Sequence, residues 1–297
     1  MSGALSWARE GRDWPHRAAS RFVQAGGLSW HVQEMGQGPT LLLLHGTGAA
    51  THSWRDLLPL LARDFHVIAP DLPGHGFTEA PERDRLSLPA MARGITALLG
   101  KLGIEPEGIV GHSAGAAIAL QMVLTGAVAP SCLISLNGAF LPFKGVASQL
   151  FPSVARLLVL NPLVPRLFAW RAGSAEAVTQ LLEGTGSRLD ARGQDLYQRL
   201  FSNRVHIAST LGMMANWDLE ALGRSFGRVD LPVLLVVGAS DRAVPPGDAR
   251  EVARRLPDAR IETLPGAGHL IHEEKPAEIA SLIGAEMLRH REVVASC

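Results

Sequence analysis

Cysteine is scarce in this sequence: Cys132 lies within an apolar run and Cys297 is the last residue. Two cysteines placed in this way form neither a disulfide framework nor the paired spacing of a zinc site. None of the eleven histidines falls in a His-x₃-His pattern, which also argues against a bound metal. We therefore expect no metal and no cofactor, and a reducing, cytoplasmic location. The first twenty residues lack the apolar core of a signal peptide, so no export is expected.

Excess charge and an uninterrupted apolar span are also lacking. The 28 Lys and Arg residues balance the 28 Asp and Glu residues, so we expect no nucleic-acid partner. The most apolar stretch, 146–170, contains Arg156, Arg166 and several prolines. It therefore falls short of the ~20 clean residues of a transmembrane helix. Peripheral contact with a membrane stays open.

Acidic residues are missing from one long segment. Between residues 108 and 175 there is no Asp or Glu, but the segment contains Lys144, Arg156, Arg166 and Arg171. Such a segment favours an anionic, flat and apolar ligand, because no local carboxylate repels it. An amphipathic helical segment with solvated arginines is the simpler explanation.

Strand and helix patterns alternate along most of the chain, which is 47% hydrophobic. The predicted strands are RFVQAG, LSWHVQEMG, TLLLLHG, HVIAPDLPG, EGIVGHS, SCLISLNG, LPVLLVVG and ARIETL. Helical spacing predicts helices in SWRDLLPLLARD, with Ser53 as its N-cap, and also at about 88–102, after Ser113, in PPGDAREVARRL and from Pro276 to about residue 291. This alternation predicts an α/β fold with a mostly parallel central sheet flanked by helices.

The alternation stops after the sixth predicted strand. From residue 138 to residue 227 the composition is helical, with prolines and glycines between the pieces. We therefore predict one core domain, 1–137 and 228–297, carrying a helical lid at 138–227 that is itself nearly of domain size.

The stretch GHSAG places Ser113 between two glycines where a predicted strand passes into a helix. Gly-x-Ser-x-Gly at this position is typical of a nucleophile elbow, in which a strained turn exposes the serine hydroxyl. The pattern is short and also occurs in glycine-rich turns, so it needs support from a base and an acid.

Those partners are predicted in the order serine, acid, histidine. Asp241 follows the strand LPVLLVVG, and His269 follows the strand ARIETL in the stretch LPGAGHL. Both lie at carboxyl ends of strands, where open α/β sheets bind ligands. Asp241 could instead only begin a turn. His272 is the competing base, but it leads into a helix.

Acyl transfer also needs donors for a developing oxyanion. The loop HGTGA can supply the Thr47 N–H, and the Ala114 N–H follows the nucleophile. His45 and Asp71 are expected to be structural, and His112 is expected to point away from Ser113. Large apolar side chains under the lid are the predicted pocket walls, although packing within the lid is the ordinary alternative. They are Phe140, Leu141, Trp170, Met213, Met214 and Trp217.

With HGTG, DLPGHG, GHSAG and GAGHL in place, residues 21–291 resemble the α/β-hydrolases. The chain is most similar to the magnesium chelatase accessory proteins of bacteriochlorophyll synthesis. The stretches that carry this resemblance are HGTGAATHSWRDLLPLLA, VGHSAGAAIAL, LNGAFLPFKGVA, LFPSVARLLVLNPLVPRLFAWRA, GTGSRLDARGQDLYQRL and MMANWDL. Ala116 departs from the second glycine that many hydrolases have after the elbow.

This resemblance implies a role beside magnesium insertion into protoporphyrin in a photosynthetic bacterium, with magnesium chelatase as a partner, but it defines no reaction. One hypothesis is a serine hydrolase that cleaves an ester or related acyl bond of a tetrapyrrole. The alternative is a non-catalytic porphyrin-binding or chelatase accessory protein that keeps the hydrolase fold. Ser113 excludes a dehalogenase or epoxide hydrolase, because these need a carboxylate at the elbow.

Overall fold

Short apolar runs form one eight-stranded sheet in the computed structural model, which describes residues 5–142 and 174–295, with side chains up to residue 290. The strands are β1 (Ser20–Ala25), β2 (Leu28–Met35), β3 (Thr40–Leu44), β4 (His66–Pro70), β5 (Gly108–His112), β6 (Cys132–Leu136), β7 (Val233–Gly238) and β8 (Ala259–Leu264). Their order across the sheet is β1-β2-β4-β3-β5-β6-β7-β8. The pairs β1/β2 and β2/β4 are antiparallel, and the other pairs are parallel. The prediction of a mostly parallel sheet is confirmed.

Helices cover the sheet and extend beyond its strand ends. In the described residues they are α1 (Trp7–Glu10), α2 (Leu58–Leu61), α3 (Leu88–Leu102), α4 (Ala114–Leu124), α5 (Ala175–Gly184), α6 (Ala191–Phe201), α7 (Arg204–Ala215), α8 (Leu219–Arg224), α9 (Pro246–Ala253), α10 (Ile271–Glu274) and α11 (Pro276–Ala295). Short 3₁₀ helices occupy Arg17–Ala19, Thr51–Trp54, Arg83–Leu86 and Phe226–Arg228.

The prediction of a helix capped by Ser53 is wrong. Ser53 lies inside the 3₁₀ helix Thr51–Trp54, and its hydroxyl donates to the carbonyl oxygen of Ala50. The α-helix in this region is one turn long and has Pro59 in its first turn. Proline fits there because an N–H in the first turn of a helix has no intrahelical acceptor, so the N–H that proline lacks is not missed. The segment with the periodic apolar pattern therefore forms a 3₁₀ helix, a turn and one α-helical turn rather than a single helix.

Alternating side chains of the central strands enter two separate apolar clusters. Leu42 and Leu44 of β3 belong to one cluster, with α3 and α4, whereas Leu41 and Leu43 belong to the other, with α11. Successive residues of a strand point to opposite faces, so the two clusters lie on the two faces of the sheet. Both faces are covered, as expected for parallel strands that are apolar throughout.

The helices α5–α8, here called the insertion helices, lie between β6 and β7 in the chain. Each begins with a side chain that accepts a hydrogen bond from its first turn, which satisfies a free backbone N–H. The capping residues are Ser174, Asp190, Asn203 and Asp218. Lys144, Arg156, Arg166, Trp170 and Arg171 lie outside the described residues. The predicted boundaries of the lid, 138 and 227, stay a prediction.

A buried charged group joins the insertion helices to the core. Arg55 forms a salt bridge with Glu273 of α10, and the Tyr197 hydroxyl of α6 donates to Glu273 Oε1 over 2.8 Å. Burial raises the pKa of Glu273 to about 7, although Arg55 opposes this rise. Arg55 also approaches Asp190, the N-cap of α6, at 3.4 Å. These contacts fix α6 against the segment that follows β8.

Within the described residues, no helix is both long and apolar enough to cross a bilayer.

Candidate active site

Ser113 occupies a strained turn between β5 and α4. Its φ and ψ angles are +50° and −115°, which place a non-glycine residue in a backbone region that costs ~1–3 kcal/mol and is concentrated at functional sites. Its N–H donates to the Leu136 carbonyl oxygen over 3.0 Å, and its own carbonyl accepts from the Ala139 N–H over 3.1 Å. Hydrogen bonds to the end of β6 therefore hold the strained residue in place.

The glycines around Ser113 are needed for close packing. A Cβ on Gly111 would lie 2.4 Å from the backbone of Ala116, and a Cβ on Gly115 would lie 2.0 Å from the Leu44 carbonyl oxygen. Neither position can hold a larger residue without moving a strand or the helix. Ala116 is fully buried, so its methyl group is accommodated.

Asp241 and His269 are joined by a hydrogen bond. The His269 Nδ1–H donates to Asp241 Oδ2 over 2.8 Å, and both residues are buried. The other oxygen of Asp241 accepts from the backbone N–H groups of Ala243 and Val244, at 2.8 and 2.9 Å. This arrangement directs the His269 Nε2 away from Asp241, so that this nitrogen could accept a proton from a nucleophile.

His269 lies beside the elbow through His112, the residue before Ser113. The ring centroids of His112 and His269 are 4.8 Å apart, and the His112 Nε2–H donates to the His269 carbonyl oxygen over 2.9 Å. Burial lowers the pKa of His112 well below its usual range, so the ring is neutral. Among residues 5–142 and 174–290, Ser113 Oγ has no hydrogen-bond partner. The Ser113–His269 contact therefore stays a prediction.

His272, the competing base, is placed differently. It is fully buried on α10, its ring lies 4.5 Å from that of Trp54, and its nitrogens have no hydrogen-bond partner among the described residues. Burial lowers its pKa well below the usual range. Asp241 therefore pairs with His269 and not with His272.

Asn137 is a residue whose role the sequence did not reveal. Its Nδ2 donates to the carbonyl oxygens of Gly268 and His269 at 2.9 and 2.8 Å, and its Oδ1 accepts from the Gly238 N–H at 2.8 Å. Its φ angle of +47° is tolerated better by Asn than by most residues. It therefore ties the ends of β6 and β7 to the loop that carries His269. Its position at a strand end was the only signal available.

The loop after β3 packs against the elbow. A Cβ on Gly46 would lie 2.7 Å from His112 Nδ1 and 3.1 Å from the Ser113 Cβ. His45 Nε2 accepts from the Leu72 N–H over 2.9 Å, so its proton is on Nδ1, which donates to the Gly46 carbonyl oxygen. His45 thus holds this loop, which contains Thr47, against the segment after β4.

Asp71 is a buried anchor rather than a simple turn residue. Its carboxylate accepts from the backbone N–H groups of Thr51 and Phe77 at 2.6 and 2.9 Å and pairs with His31 Nδ1 at 2.7 Å. Burial opposes the charge, but these partners hold the pKa of Asp71 far below its usual range. The ionised carboxylate therefore fixes several loops above the sheet.

Four of the five predicted pocket residues that the structure describes lie in or against one apolar cluster, and their role as pocket walls stays a prediction. Phe140, Leu141 and Met213 are buried in the cluster that contains α3 and α4, whereas Met214 and Trp217 are partly exposed. Phe140 packs edge-to-face against Phe226, at 6.2 Å between ring centroids. Of the set, Met213 approaches the predicted oxyanion loop, with its Sδ 3.7 Å from Thr47 Oγ1. A small cavity next to Phe140 is lined by Ser135 and Asn137 and does not include Ser113.

The insertion helices contact this loop through His206 of α7. The His206 Nε2–H donates to the Gly48 carbonyl oxygen at 3.0 Å, and Nδ1 accepts from the Gly76 N–H at 3.2 Å. Burial lowers the pKa of His206 to about 4. The neutral ring therefore joins two core loops to the insertion helices, a role that the sequence did not indicate.

No three His, Cys, Asp or Glu side chains of the described residues are grouped so that they could hold a metal ion.

The chain as a whole is similar to known proteins. Residues 39–276 match the family model of the alpha/beta hydrolase fold. The chain is 40% identical over 273 residues to the magnesium-chelatase 30 kDa subunit of Rhodobacter capsulatus, covering 91% of this chain and 95% of that protein. Among solved structures, a putative lipase from Acinetobacter baumannii AYE superposes with a TM-score of 0.78 at 21% identity and 97% coverage of both chains. A putative epoxide hydrolase mutant from Pseudomonas aeruginosa gives a TM-score of 0.77 at 22% identity, covering 92% of this chain and 96% of that one.

Proposed function

Because the chain belongs to the α/β-hydrolase fold family and is related to the magnesium-chelatase 30 kDa subunit, we propose that it is a serine hydrolase acting in tetrapyrrole metabolism. The observation that carries the proposal is the hydrogen bond from His269 Nδ1 to Asp241 Oδ2, beside a serine held in an elbow turn. A serine, a base and an acid are the minimum set for covalent acyl transfer, and here they follow the carboxyl ends of β5, β8 and β7 of one sheet.

In this mechanism Ser113 Oγ attacks the carbonyl carbon of an ester or related acyl group, and His269 Nε2 takes the hydroxyl proton. Asp241 keeps the proton of His269 on Nδ1 and stabilises the imidazolium that forms. The Thr47 and Ala114 N–H groups donate to the oxyanion of the tetrahedral intermediate. His269 then protonates the leaving oxygen, and water activated by His269 releases the acyl group from Ser113.

Active-site labelling with a fluorophosphonate probe tests the catalytic part. We expect stoichiometric modification of Ser113 in the folded protein, loss of labelling in Ser113→Ala, and slow labelling in Asp241→Asn. The matched controls are Ser202→Ala, at the exposed end of α6, and Asp230→Asn, an exposed carboxylate before β7. Both controls should label as the wild type does. Unchanged labelling of Asp241→Asn would mean that Asp241 is not the acid.

The proposed substrate class is a porphyrin with free carboxylates, or an ester of one. The name of the R. capsulatus relative and the acid-free segment 108–175 with its cations support it. Charge-assisted hydrogen bonds between arginine and a carboxylate contribute ~1.5–3 kcal/mol each. We expect protoporphyrin to bind more tightly than its dimethyl ester, and added salt to weaken this binding.

Changing Arg156 and Arg166 together to Gln should remove part of that preference. The matched control is the pair Arg83→Gln and Arg93→Gln, two exposed arginines near and on α3. Equal affinity for the acid and the ester, measured by porphyrin fluorescence, would remove the tetrapyrrole part of the proposal and leave the hydrolase part standing.

A second candidate function is a non-catalytic chelatase accessory protein. The 40% identity to a protein named as a chelatase subunit, over 91% of the chain, favours it. In that case the protein binds porphyrin or the chelatase without reacting with the fluorophosphonate probe. Binding that is the same in the wild type and in Ser113→Ala, combined with an unlabelled wild-type serine, would support this second function.

A further inference from the structure

The stretch GTGSR at 184–188 joins α5 to α6, and its central part makes backbone contacts with the loops that carry both Asp241 and His269. Here it is called the 185–188 loop. It belongs to the insertion helices and not to the core, yet it reaches the residues next to the proposed acid and the proposed base.

On the acid side, the Arg242 N–H donates to the Thr185 carbonyl oxygen over 3.0 Å. Arg242 is the residue after Asp241. Gly186, with a φ of +87°, packs so closely here that a Cβ would lie 2.0 Å from the Ser240 carbonyl oxygen. The 185–188 loop therefore contacts the residues on both sides of Asp241.

On the base side, the Leu270 N–H donates to Ser187 Oγ over 2.8 Å. Ser187 is fully buried. A Cβ on Gly268, the residue before His269, would lie 2.3 Å from the backbone of Gly186. Glu274 adds a further bridge, because its two oxygens accept from the N–H groups of Arg188 and Gly268 at 3.0 and 2.8 Å.

The peptide group between His269 and Leu270 is thus held on both of its sides. Its carbonyl oxygen accepts from His112 Nε2 and Asn137 Nδ2 of the core. Its N–H donates to Ser187 of the 185–188 loop. A buried N–H that loses its acceptor is destabilising. Removal of the Ser187 hydroxyl therefore favours rotation of this peptide group towards another acceptor. Rotation of the peptide would carry the His269 imidazole with it.

We propose that Ser187 is a positioning residue for His269 and that the 185–188 loop sets the geometry between Asp241 and His269. The proposal rests on the function proposed above, since it concerns the acid and base of that site. In this proposal the relative position of Asp241 and His269 depends on how the insertion helices dock, because the 185–188 loop connects the two. Small displacements of a reacting group reduce rates strongly.

The test compares Ser187→Ala with Ser209→Ala, a buried serine of α7 that packs against Gly74. For Ser187→Ala we expect the maximal rate of fluorophosphonate labelling to fall by about tenfold or more, with an unchanged half-saturating probe concentration. Ser187→Thr, which keeps an acceptor oxygen, should recover part of the rate. Ser209→Ala should label as the wild type does.

A second readout does not depend on the reactivity of Ser113. The His269 Nδ1 proton, which donates to Asp241, is expected as a downfield proton resonance that disappears in His269→Ala. We expect it to broaden or disappear in Ser187→Ala and to persist in Ser209→Ala, with both variants still folded by circular dichroism. An unchanged resonance together with an unchanged labelling rate in Ser187→Ala would overturn the proposal. If the wild type does not label but the resonance responds to Ser187→Ala, the positioning role stands and the hydrolase function fails.

Discussion

The two faces of the sheet and the layer above the carboxyl ends of its strands are built from different residues. The faces are covered by aliphatic side chains of strands and helices. The layer above the strand ends, here called the polar layer, is also buried but is made of imidazoles, carboxylates, an amide and a hydroxyl. Its members include His45, Asp71, His75, His112, Asn137, Ser187, His206, Asp241, His269, His272 and Glu273.

The difference shows that one region of the protein contributes mainly stability and the other mainly fixes the positions of functional groups. Burial of apolar surface stabilises the sheet, but it is non-directional and does not fix the orientation of any side chain. The polar layer gains little from burial, because buried polar groups must find partners merely to offset their desolvation. In return, its directional hydrogen bonds fix loops that carry Ser113, Asp241 and His269. Variants in the two regions should therefore have separable effects on stability and on reactivity.

The largest effect is expected in the polar layer, on reactivity. Replacing the base in His269→Gln should lower the rate of fluorophosphonate labelling by at least about 10³-fold. The free energy of unfolding should fall by only ~1–2 kcal/mol, because one hydrogen bond to Asp241 is lost. His290→Gln, on α11, is the control. A variant that labels at the normal rate would contradict the assignment of the base.

The next effect is expected on one face of the sheet, and on stability alone. Leu98 of α3 is fully buried, and Leu98→Ala should lower the free energy of unfolding by ~2–5 kcal/mol, from lost burial and the cavity that remains. Leu288→Ala, at an exposed position of α11, should change it by less than ~0.5 kcal/mol. Urea unfolding measures both. If Leu98→Ala slowed labelling of the folded protein tenfold, the two regions would not be separable.

A third effect concerns acid, to which the polar layer should be sensitive. Burial holds the pKa of His206 near 4 in the folded protein, below the 6.5 of an exposed histidine. As pH falls below 6.5, His206 becomes protonated in the unfolded chain but not in the folded protein. The free energy of unfolding therefore decreases between pH 6.5 and 4. The loss from this one group is up to ~3 kcal/mol.

Urea unfolding of His206→Gln at several pH values checks this expectation. The pH dependence between 6.5 and 4 should be shallower than in the wild type, whereas the control variant Leu288→Ala, which removes no titratable group, should keep the wild-type dependence. Glu273 acts in the opposite sense, because its raised pKa, about 7, gives stability that is lost as pH rises through 7. Because the two groups have opposite effects, the contribution of His206 is obtained from the difference between variant and wild type and not from the pH profile of the wild type alone. Equal slopes in His206→Gln and wild type would contradict the expectation.

Sequence reasoning located the strands and nominated three candidate catalytic residues because the signals for both are local. Apolar runs, glycines at the elbow and residues directly after strands can all be read within a few positions. It could not find Ser187, which accepts from a backbone N–H 83 residues away, or His206, whose partner Gly48 is 158 residues away. Such contacts depend on how the insertion helices dock.

The wrong expectation, a helix capped by Ser53, has an equally physical cause. Ser53 looked like a cap because serine before an apolar run favours one, but the chain there forms a 3₁₀ helix and a turn before Pro59. The pocket walls stay a prediction: Phe140 and Leu141 are expected there because they are large and apolar. That property equally suits a core, and both are buried in the apolar cluster on one face of the sheet.

The smallest effect is expected from the side chain of Thr47. In the proposed oxyanion hole Thr47 donates through its backbone N–H. Among the residues that the structure describes, its side-chain hydroxyl contacts Met213 Sδ alone, at 3.7 Å, and this sulfur is a weak acceptor. Thr47→Val keeps the shape and the backbone but removes the hydroxyl. We therefore expect the labelling rate to change by less than about threefold, whereas the loss of a true oxyanion donor costs about 10²–10³-fold. Thr210→Val, at a threonine within α7 whose hydroxyl donates to the His206 carbonyl oxygen, is the matched control. A hundredfold loss confined to Thr47→Val would make the hydroxyl itself the donor and would move the oxyanion hole from the backbone to the side chain.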